Sequence, residues 1–476
     1  MSHTSDPVRA GSANEGRLDE DAGYHKGLKS RQVQMIAMGG AIGTGLFLGA
    51  GGRLHSAGPS LAIVYAISGV FAFFVVRAMG ELVMHRPSSG SFVSYSREFL
   101  GEKSAFFVGW MYFLNWAMSG IADVTAAATY VRFFWPDVPQ WIPALIALVV
   151  VLAVNMVSVA LFGELEFWFA AIKVIALVAF MLIAIFVLVT RQTVDGHSTG
   201  PQLITEHGGF FPAGLLPAVM ILQGVVFAYA AIEMVGVAAG ETANPREVIP
   251  KAVNSVGWRI AIFYVGSVLL LVMLMPAGDY TADQSPFVTF LDRLGVPGSA
   301  GIMNIVVLTA ALSSVNSGLY STGRILRSLS VAGSAPKFTA LMSRNGVPYG
   351  GVLLTAAIYA LGVVLNLVLP HDAFEIALNF SALGILSMWS MIMICNLALQ
   401  RKAKRGEVQR PAYRLPGAPF TNYVTLGFLV LVLALSYFDE PAGRIMIFSI
   451  PGIVLLLVLG WFLVRRRVRE LAASGE

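Results

Sequence analysis

The stretch that decides the fold reads Gly39-Gly40-Ala41-Ile42-Gly43-Thr44-Gly45, and it lies inside the first long apolar segment of the chain. A glycine in a helix interior costs about 1 kcal/mol relative to alanine, so this stretch disfavours a continuous helix. A helix interrupted at membrane depth exposes backbone N–H and C=O groups, which persist only where they face protein, water or a ligand. Alternatively, the glycines form a close packing face between helices. The stretch alone supports both interpretations equally.

The composition indicates a protein with many membrane-spanning segments. Of the 476 residues, 56% are hydrophobic and only 12% are charged, whereas a water-soluble domain carries about 25% charged residues. The net charge of +5 does not indicate nucleic-acid binding, because the basic residues lie in alternate loops. The single cysteine, Cys395, excludes a disulfide within the chain and a thiol metal cluster.

Twelve apolar segments are each close to the ~20 residues that a helix needs to cross a bilayer. They are predicted at 31–51, 59–81, 104–133, 140–161, 165–190, 213–240, 254–276, 298–328, 349–369, 374–399, 421–437 and 445–464. Residues 1–27 are rich in Ser, Asp, Gly and Arg and are expected to form a disordered tail.

The distribution of lysine and arginine predicts the orientation of these segments. With the N-terminus inside the cell, the tails and the cytoplasmic loops hold 26 of the 32 basic residues and the outer loops hold 5. The remaining one, Lys173, lies inside the fifth segment. The asymmetry favours an even number of crossings with both termini in the cytoplasm.

A second interruption is predicted in the sixth segment, over residues 223–233, where Glu233 has apolar sequence on both sides. The interrupted segments are five apart, so a second unit of five helices starts from the opposite side of the membrane. Many secondary transporters have this inverted repeat, with broken helices in corresponding positions. We therefore predict an all-α membrane protein with a five-plus-five inverted repeat, broken helices one and six, and two extra C-terminal helices. The transport core spans 28–400, the last two helices and their basic loop 401–465, and a short cytoplasmic tail 466–476.

Three ionisable residues are predicted at bilayer depth, where a charge is costly and by default marks function. They are Lys173, Asp123 and Glu233. Lys173 lies eight residues into its predicted segment, about 12 Å from the cytoplasmic end at ~1.5 Å per residue. The alternative is a buried structural ion pair, such as Lys173 with Asp123. Four glutamates near segment ends are expected at the membrane interface instead: Glu81, Glu164, Glu166 and Glu241.

Polar side chains on two other segments are candidates for the same site. Asn115, Ser119 and Asp123 fall within about 80° of arc on one helix face. Ser313 and Ser314 on the eighth segment are expected to accept hydrogen bonds from a cation, which could be Lys173 itself. The alternative is that these hydroxyls only bond to carbonyls of their own helix.

The two interruptions together predict a site for a zwitterion. A helix N-terminus offers free N–H groups and partial positive charge, so the half-helix that restarts at Gly43-Thr44-Gly45 can hold a carboxylate, with the Thr44 hydroxyl as a further donor. The half-helix that ends at Phe227-Ala228-Tyr229-Ala230 leaves carbonyls free for an ammonium group, and Phe227 and Tyr229 are candidates to gate the site. An α-amino acid is the natural ligand.

Other classes of site lack their motifs. No Gly-Lys-Ser/Thr follows the glycines, so they do not form a phosphate loop, and neither HExxH nor GxSxG occurs. The protein is therefore not expected to be an enzyme, and no cofactor or metal is expected.

The residues from Gly39 to Phe47 resemble the first-helix motif of the amino acid–polyamine–organocation superfamily, and within it the bacterial amino acid transporter family. Further stretches similar to that family are 77–82, 166–173, 240–245 and 285–287. Stretches similar to its L-asparagine-transporting members are 223–228, 232–236, 310–320 and 415–420. The resemblance covers roughly residues 27–465.

The resemblance implies a transporter of the bacterial inner membrane that imports L-asparagine together with protons by alternating access. By position, Ala41, Ile42, Gly43, Thr44 and Gly45 match the motif that binds the substrate carboxylate. The residues from Phe227 to Ala230 match the break that binds its amine, and Asn115 or Asp123 is the candidate for the side-chain amide.

The resemblance also implies roles in proton coupling and gating. Lys173 matches a lysine that stands where sodium-coupled relatives hold an ion, and Glu233 matches a sixth-helix acid associated with gating. Asp123 occupies a position where aromatic-specific relatives have glutamate.

Two alternatives remain open. The first is a permease for another small neutral amino acid, of the D-serine/alanine/glycine or 4-aminobutyrate type. The second is a nutrient sensor with a transporter fold. The paired interruptions, the charges in the membrane and the basic loops favour the functional break over the packing face at Gly39–Gly45.

Overall fold

The protein is almost entirely helical in the computed structural model, which describes residues 28, 30–242, 244–282, 284–368, 373–439 and 441–474. The one sheet in these ranges is a hairpin in which Thr193–Val194 (β1) pairs antiparallel with His197–Ser198 (β2). The predicted tail at 1–27 lies outside the described residues. Glu241 is described by its backbone alone.

The described residues form α-helices α1 to α20. In chain order they are α1 Ser30–Ala41, α2 Thr44–Phe47, α3 Gly49–Ala57, α4 Ser60–His85, α5 Ser91–Leu100, α6 Glu102–Arg132, α7 Trp141–Val157, α8 Val159–Val189, α9 Gln202–Glu206, α10 Leu215–Met220, α11 Leu222–Ala228, α12 Met234–Ala238, α13 Pro245–Arg259, α14 Ser267–Leu274, α15 Pro286–Arg293, α16 Ser299–Val331, α17 Tyr349–Val368, α18 Ala373–Lys404, α19 Phe420–Leu435 and α20 Ala442–Ser474. A π-helical segment, Ile260–Gly266, joins α13 to α14.

The predicted class, an all-α protein with several membrane-spanning helices, is confirmed. Eight helical stretches of the described chain are long and apolar enough to cross a membrane, and three further apolar helices are shorter. Each of the twelve predicted segments contains helix, although the first and sixth are divided into short pieces. Twelve crossings and the inverted repeat remain predictions.

Several helix boundaries differ from the predicted ones. Ser158 accepts a hydrogen bond from the N–H of Leu161 and caps α8, so this helix begins at Val159 rather than near 165. Lys173 consequently lies 14 residues into α8, about 21 Å along its axis rather than 12 Å. At the other end of the chain, α20 continues as helix through the predicted tail to Ser474.

Both predicted interruptions are present. Between α1 and α2 the backbone of Gly43 is extended, with φ −126° and ψ −168°. Beyond Leu48 the chain continues into α3, so α2 and α3 form a single half-helix. In the sixth segment α11 ends at Ala228, and a turn containing Ala231 at φ 70° precedes α12. A side chain in this left-handed region is strained, which marks the turn as a specific feature.

The amphipathic helix α5 was not predicted, because it is short and rich in serine. It is tied to the end of α4 through Glu98, which accepts hydrogen bonds from His85 at 2.8 Å and Arg86 at 3.0 Å. Burial by itself raises the pKa of Glu98, but the His85 hydrogen bond and the Arg86 and His85 charges outweigh it and lower the pKa from 4.5 to about 2.

The loop before α19 crosses the same end of the bundle as a strap, defined by residues 407–418. Glu81 is fully buried beneath it, and its carboxylate accepts hydrogen bonds from Arg410 Nε at 2.6 Å and from the Leu415 N–H at 2.8 Å. The guanidinium of Arg77 stacks over the Tyr413 ring at 3.5 Å. Through these contacts the strap, which connects α18 to α19, holds the end of α4 in place.

Candidate functional site

The two interruptions meet in the interior of the bundle. Gly45, in the first turn of α2, lies directly against Ala228 at the end of α11. A Cβ atom at position 45 would stand only 2.6 Å from the Ala228 Cα and 3.1 Å from its nitrogen. Only glycine permits this approach, so the glycine run serves both a break and a close contact.

A small cavity with a volume of about 30 Å³ lies beside this contact. It is lined by eight of the predicted site residues, namely Gly43, Gly45, Lys173, Phe227, Ala228, Ala230, Ser313 and Ser314. The other lining residues are Trp116, Ser119, Glu166, Ala231, Ala310 and Ser317. The cavity therefore joins both helix breaks to α6, α8 and α16.

Lys173 belongs to a buried chain of hydrogen bonds in this cavity. Its Nζ donates to Ser313 Oγ at 3.0 Å, and the Ser313 hydroxyl donates to Glu166 Oε1 at 2.6 Å. Glu166 is fully buried and its other oxygen accepts from Asn316 Nδ2 at 3.3 Å. The expectation that Glu166 lies at the membrane interface is therefore wrong. Glu164, two residues earlier, is partly exposed and pairs with Arg31 at 2.9 Å.

Asp123 joins the first interruption to α16 rather than lining the cavity. Its Oδ1 accepts a hydrogen bond from Thr44 Oγ1 at 2.7 Å, and its Oδ2 accepts one from the Ser314 hydroxyl. The Thr44 proton is thereby engaged, and Ser314 acts as a donor to a carboxylate rather than as an acceptor from Lys173. The carboxylate fixes the start of α2 against α6 and α16.

Asn115 likewise lies behind the cavity. Its side-chain oxygen accepts a hydrogen bond from Ser381 Oγ on α18 at 2.7 Å, and the Ser381 and Ser119 hydroxyls lie 2.6 Å apart. Of the three polar residues predicted on one face of α6, Ser119 is the one that reaches the cavity. Asn115 is linked to Ser119 directly and through Ser381.

The end of α11 presents backbone carbonyls, as expected for a broken helix. The Ala228 carbonyl accepts a hydrogen bond from the Tyr264 hydroxyl at 2.6 Å. The Ala230 carbonyl accepts none from the described residues, and Ala230 lines the cavity. Tyr264 lies in the π-helical segment, a local widening of a helix that occurs frequently at functional sites.

The remaining predicted site residues stand apart from the cavity. Tyr229 stacks on Tyr264 at 4.6 Å and donates to the Tyr65 carbonyl at 2.7 Å. Glu233 is 1% exposed, and neither carboxylate oxygen has a hydrogen-bond partner among the described residues. Ile42 is buried in the apolar core. Ala41 closes α1, and its side chain is outside the described part.

A larger cavity, with a volume of about 430 Å³, opens at one end of the bundle. Arg53 stands between it and the inner cavity. The guanidinium of Arg53 donates to the Gly45 carbonyl at 3.2 Å, and a Cβ atom at Gly224 would collide with it. Glu375 and Asp439 line the same opening. Arg53 therefore separates this opening from the helix breaks.

Sequence reasoning missed several residues of the site. Trp116 lies within one helical turn of Ser119, and Ser317 lies within one turn of Ser313 and Ser314. Helical periodicity could therefore have indicated both residues from the sequence. Tyr264 and Arg53 have no comparable signal, because their contacts depend on which segments pack together.

The chain is similar to known proteins over nearly its whole length. The sequence profile of a family described as "Amino acid permease" matches residues 32–473. The chain is 61% identical to the L-asparagine permease of Streptomyces coelicolor over 95% of this chain and 93% of the relative. It is 60% identical to the L-asparagine permease of Salmonella typhimurium over 95% and 91% of the two chains. For the L-asparagine permease of Escherichia coli the identity is 59% over 96% and 92%.

Proposed function

Because the chain belongs to the amino acid permease family, we propose that it imports L-asparagine across the bacterial inner membrane in symport with protons. The observation that carries the proposal is the meeting of two helix breaks at one cavity that also contains a buried lysine. The choice of L-asparagine is supported by L-asparagine permeases that are 59–61% identical to this chain over nearly its whole length.

The substrate zwitterion lies between the two breaks. Its carboxylate takes the N–H groups at the start of α2, around Gly43 and Gly45, where the helix dipole is positive. Its ammonium group takes the Ala230 carbonyl at the end of α11. The side-chain amide faces Ser119, while Asn115 and Asp123 hold the surrounding helices in position from behind.

Lys173 carries the coupled proton. The proposal is supported by its complete burial and by its place on the cavity wall within hydrogen-bond distance of Ser313. A buried charge next to the substrate makes the energies of the empty and loaded sites depend on protonation, because burying a charge in the bilayer is costly. Glu233, at the turn after α11, acts in gating.

The proposed topology has twelve crossings, a five-plus-five inverted repeat and both termini in the cytoplasm. It is supported by the grouping of predicted loops at the two ends of the bundle. The large opening gathers residues from three predicted outer loops, represented by Ser56, Ala282 and Asp439. The ion pair of Arg31 with Glu164 and that of Arg410 with Glu81 join predicted cytoplasmic elements.

Transport into liposomes that contain the purified full chain tests the proposal. Labelled L-asparagine should accumulate when the outside is more acidic than the inside, and a sodium gradient should have no effect. An excess of unlabelled L-asparagine should compete better than alanine, glycine, D-serine or 4-aminobutyrate. Stronger competition by one of these compounds would identify that compound as the substrate instead of L-asparagine. A requirement for sodium would contradict proton coupling.

Lys173→Ala tests the coupling role separately. The variant should lose accumulation against a gradient, because no proton accompanies the substrate. Lys337→Ala, which changes an exposed lysine on a short helical turn, is the matched control and should accumulate as wild type does. Full proton-driven accumulation by Lys173→Ala would show that the proton is carried elsewhere.

A further inference from the structure

We propose that Glu166 is the proton acceptor that takes the coupled proton from Lys173 and brings it closer to the start of α8. The inference rests on the proposed function of Lys173. It concerns a different step, the release of the proton on the side of the membrane opposite to the large opening.

The geometry provides a continuous route between the two groups. Lys173 Nζ, Ser313 Oγ and Glu166 Oε1 are linked by hydrogen bonds of 3.0 Å and 2.6 Å. Glu166 also lines the cavity itself, together with Lys173 and Ser313. A carboxylate that is fully buried but within one hydroxyl of a lysine is placed to receive its proton.

Beyond Glu166 the polar chain continues away from the cavity. Asn316 Nδ2 donates to Glu166 Oε2 at 3.3 Å, and Asn155 Nδ2 donates to Asn316 Oδ1 at 2.6 Å. Asn155 lines a second, small cavity at the junction of α7 and α8, which Ser158 and Arg324 also line. Glu166 thus lies between the substrate cavity and this junction cavity.

Position along α8 agrees with this direction. Glu166 is seven residues from the first residue of α8 and Lys173 is 14, which corresponds to about 10 Å and 21 Å along the axis. Glu166 is therefore roughly halfway between Lys173 and the helix end. A proton that moves from Lys173 to Glu166 covers half of the axial distance from Lys173 to the start of α8.

The transfer is balanced in atoms and charge. The Ser313 O–H bond breaks as its proton forms a bond to Glu166 Oε1, and one N–H bond of Lys173 breaks as its proton moves to Ser313 Oγ. The ammonium becomes an amine, the carboxylate becomes a carboxylic acid, and the serine is restored. Both charges disappear together, so the step leaves no new ion in the apolar interior.

The charged groups around Glu166 are few. On its own helix it faces Lys173, and Asp123 on α6 lies beyond Lys173. From α16 the nearby groups are Tyr320 and Arg324, of which Arg324 lines the junction cavity. The described sequences of α7 and α14 contain no titratable side chain, and Arg31 of α1 is paired with Glu164.

The experiment measures proton entry and substrate exchange in the same liposomes. An inward L-asparagine gradient drives protons inward through the wild type, which a trapped pH-sensitive dye records. Glu166→Gln should reduce the rate of this proton entry by at least about tenfold. This reduction is smaller than the roughly 100-fold or more that a positioned acid or base contributes to a reaction rate. Exchange of labelled for unlabelled L-asparagine should persist, since exchange requires no proton release. Glu166→Asp should restore part of the proton entry.

Glu164→Gln is the matched control, because it removes a carboxylate two residues away that is partly exposed to solvent. Its ratio of protons to substrate should equal that of the wild type. Wild-type proton entry in Glu166→Gln would overturn the proposal. So would a variant that loses exchange and proton entry alike without rescue by aspartate, since this indicates a structural role. If the wild type itself moves no protons, the proposed coupling fails instead.

Discussion

Replacement of Gly45 by alanine tests the contact between the two helix breaks. The new Cβ atom would lie 2.6 Å from the Ala228 Cα, whereas carbon atoms in ordinary contact are about 3.5–4.0 Å apart. The two half-helices must therefore separate by about 1 Å. The obstructing atoms belong to the backbone of α11, so a side-chain rotation cannot relieve the clash.

The expected effect has two parts. Overpacking of this kind destabilises by about 1–3 kcal/mol. A displacement of about 1 Å between groups that bind one substrate can reduce its turnover by roughly 100-fold. Gly45→Ala should therefore unfold at a lower temperature in detergent and should transport L-asparagine far more slowly.

Two other glycines provide controls for these measurements. A Cβ atom at Gly427 in α19 would meet nothing within 4 Å, and the same holds for Gly43. Gly427→Ala should transport as the wild type does and should be more stable by up to about 1 kcal/mol, because alanine favours a helix interior, and Gly43→Ala should lose no stability. Wild-type stability and transport in Gly45→Ala would refute the close contact and the site built on it.

Three further predictions concern contacts outside the cavity. Arg410→Gln should destabilise the protein by about 2–3 kcal/mol, because it leaves the buried carboxylate of Glu81 without its charged partner; thermal unfolding measures the loss, and adding Glu81→Gln should recover part of it. The folded-state pKa of Glu98 is lowered to about 2, so its contribution is complete above pH 4.5 and disappears as the pH falls towards 2; Glu98→Gln should remove roughly 1–2 kcal/mol of this acid dependence, measured by unfolding at several pH values. Tyr264→Phe removes the hydrogen bond to the Ala228 carbonyl and should cost about 1 kcal/mol, seen as a lower unfolding temperature, whereas an unchanged temperature would mean that another donor caps this carbonyl.

The helical segments and both interruptions could be predicted from the sequence, because each depends on neighbouring residues along the chain. Apolar length indicates a crossing, and clustered glycines disfavour a continuous helix whatever packs against it. Lys173 also stood out, since a charge within an apolar segment is conspicuous without knowledge of its partners. These features predicted the two helix breaks at residues 43–45 and 227–230.

The side-chain partners could not be predicted, because they join positions far apart in the sequence. Glu164 and Glu166 have the same composition around them, yet two residues rotate a helix by about 200°, so they face opposite directions. Glu166 meets Ser313, a residue 147 positions later, and becomes buried. Asp123 is similar, since its two partners Thr44 and Ser314 lie on different segments.

The ion pair between Arg410 of the strap and Glu81 of α4 has a consequence for the biosynthesis of the protein. Arg410 lies 329 residues after Glu81, and at about 5–20 residues per second a ribosome takes roughly 15–65 s to add that length of chain. During this interval the Glu81 carboxylate has left the ribosome without its partner, and it must stay in contact with water at the membrane surface. The end of α4 therefore closes late, after α18 has been made, and a truncated chain that ends before Arg410 should be recognised by proteases as unfinished.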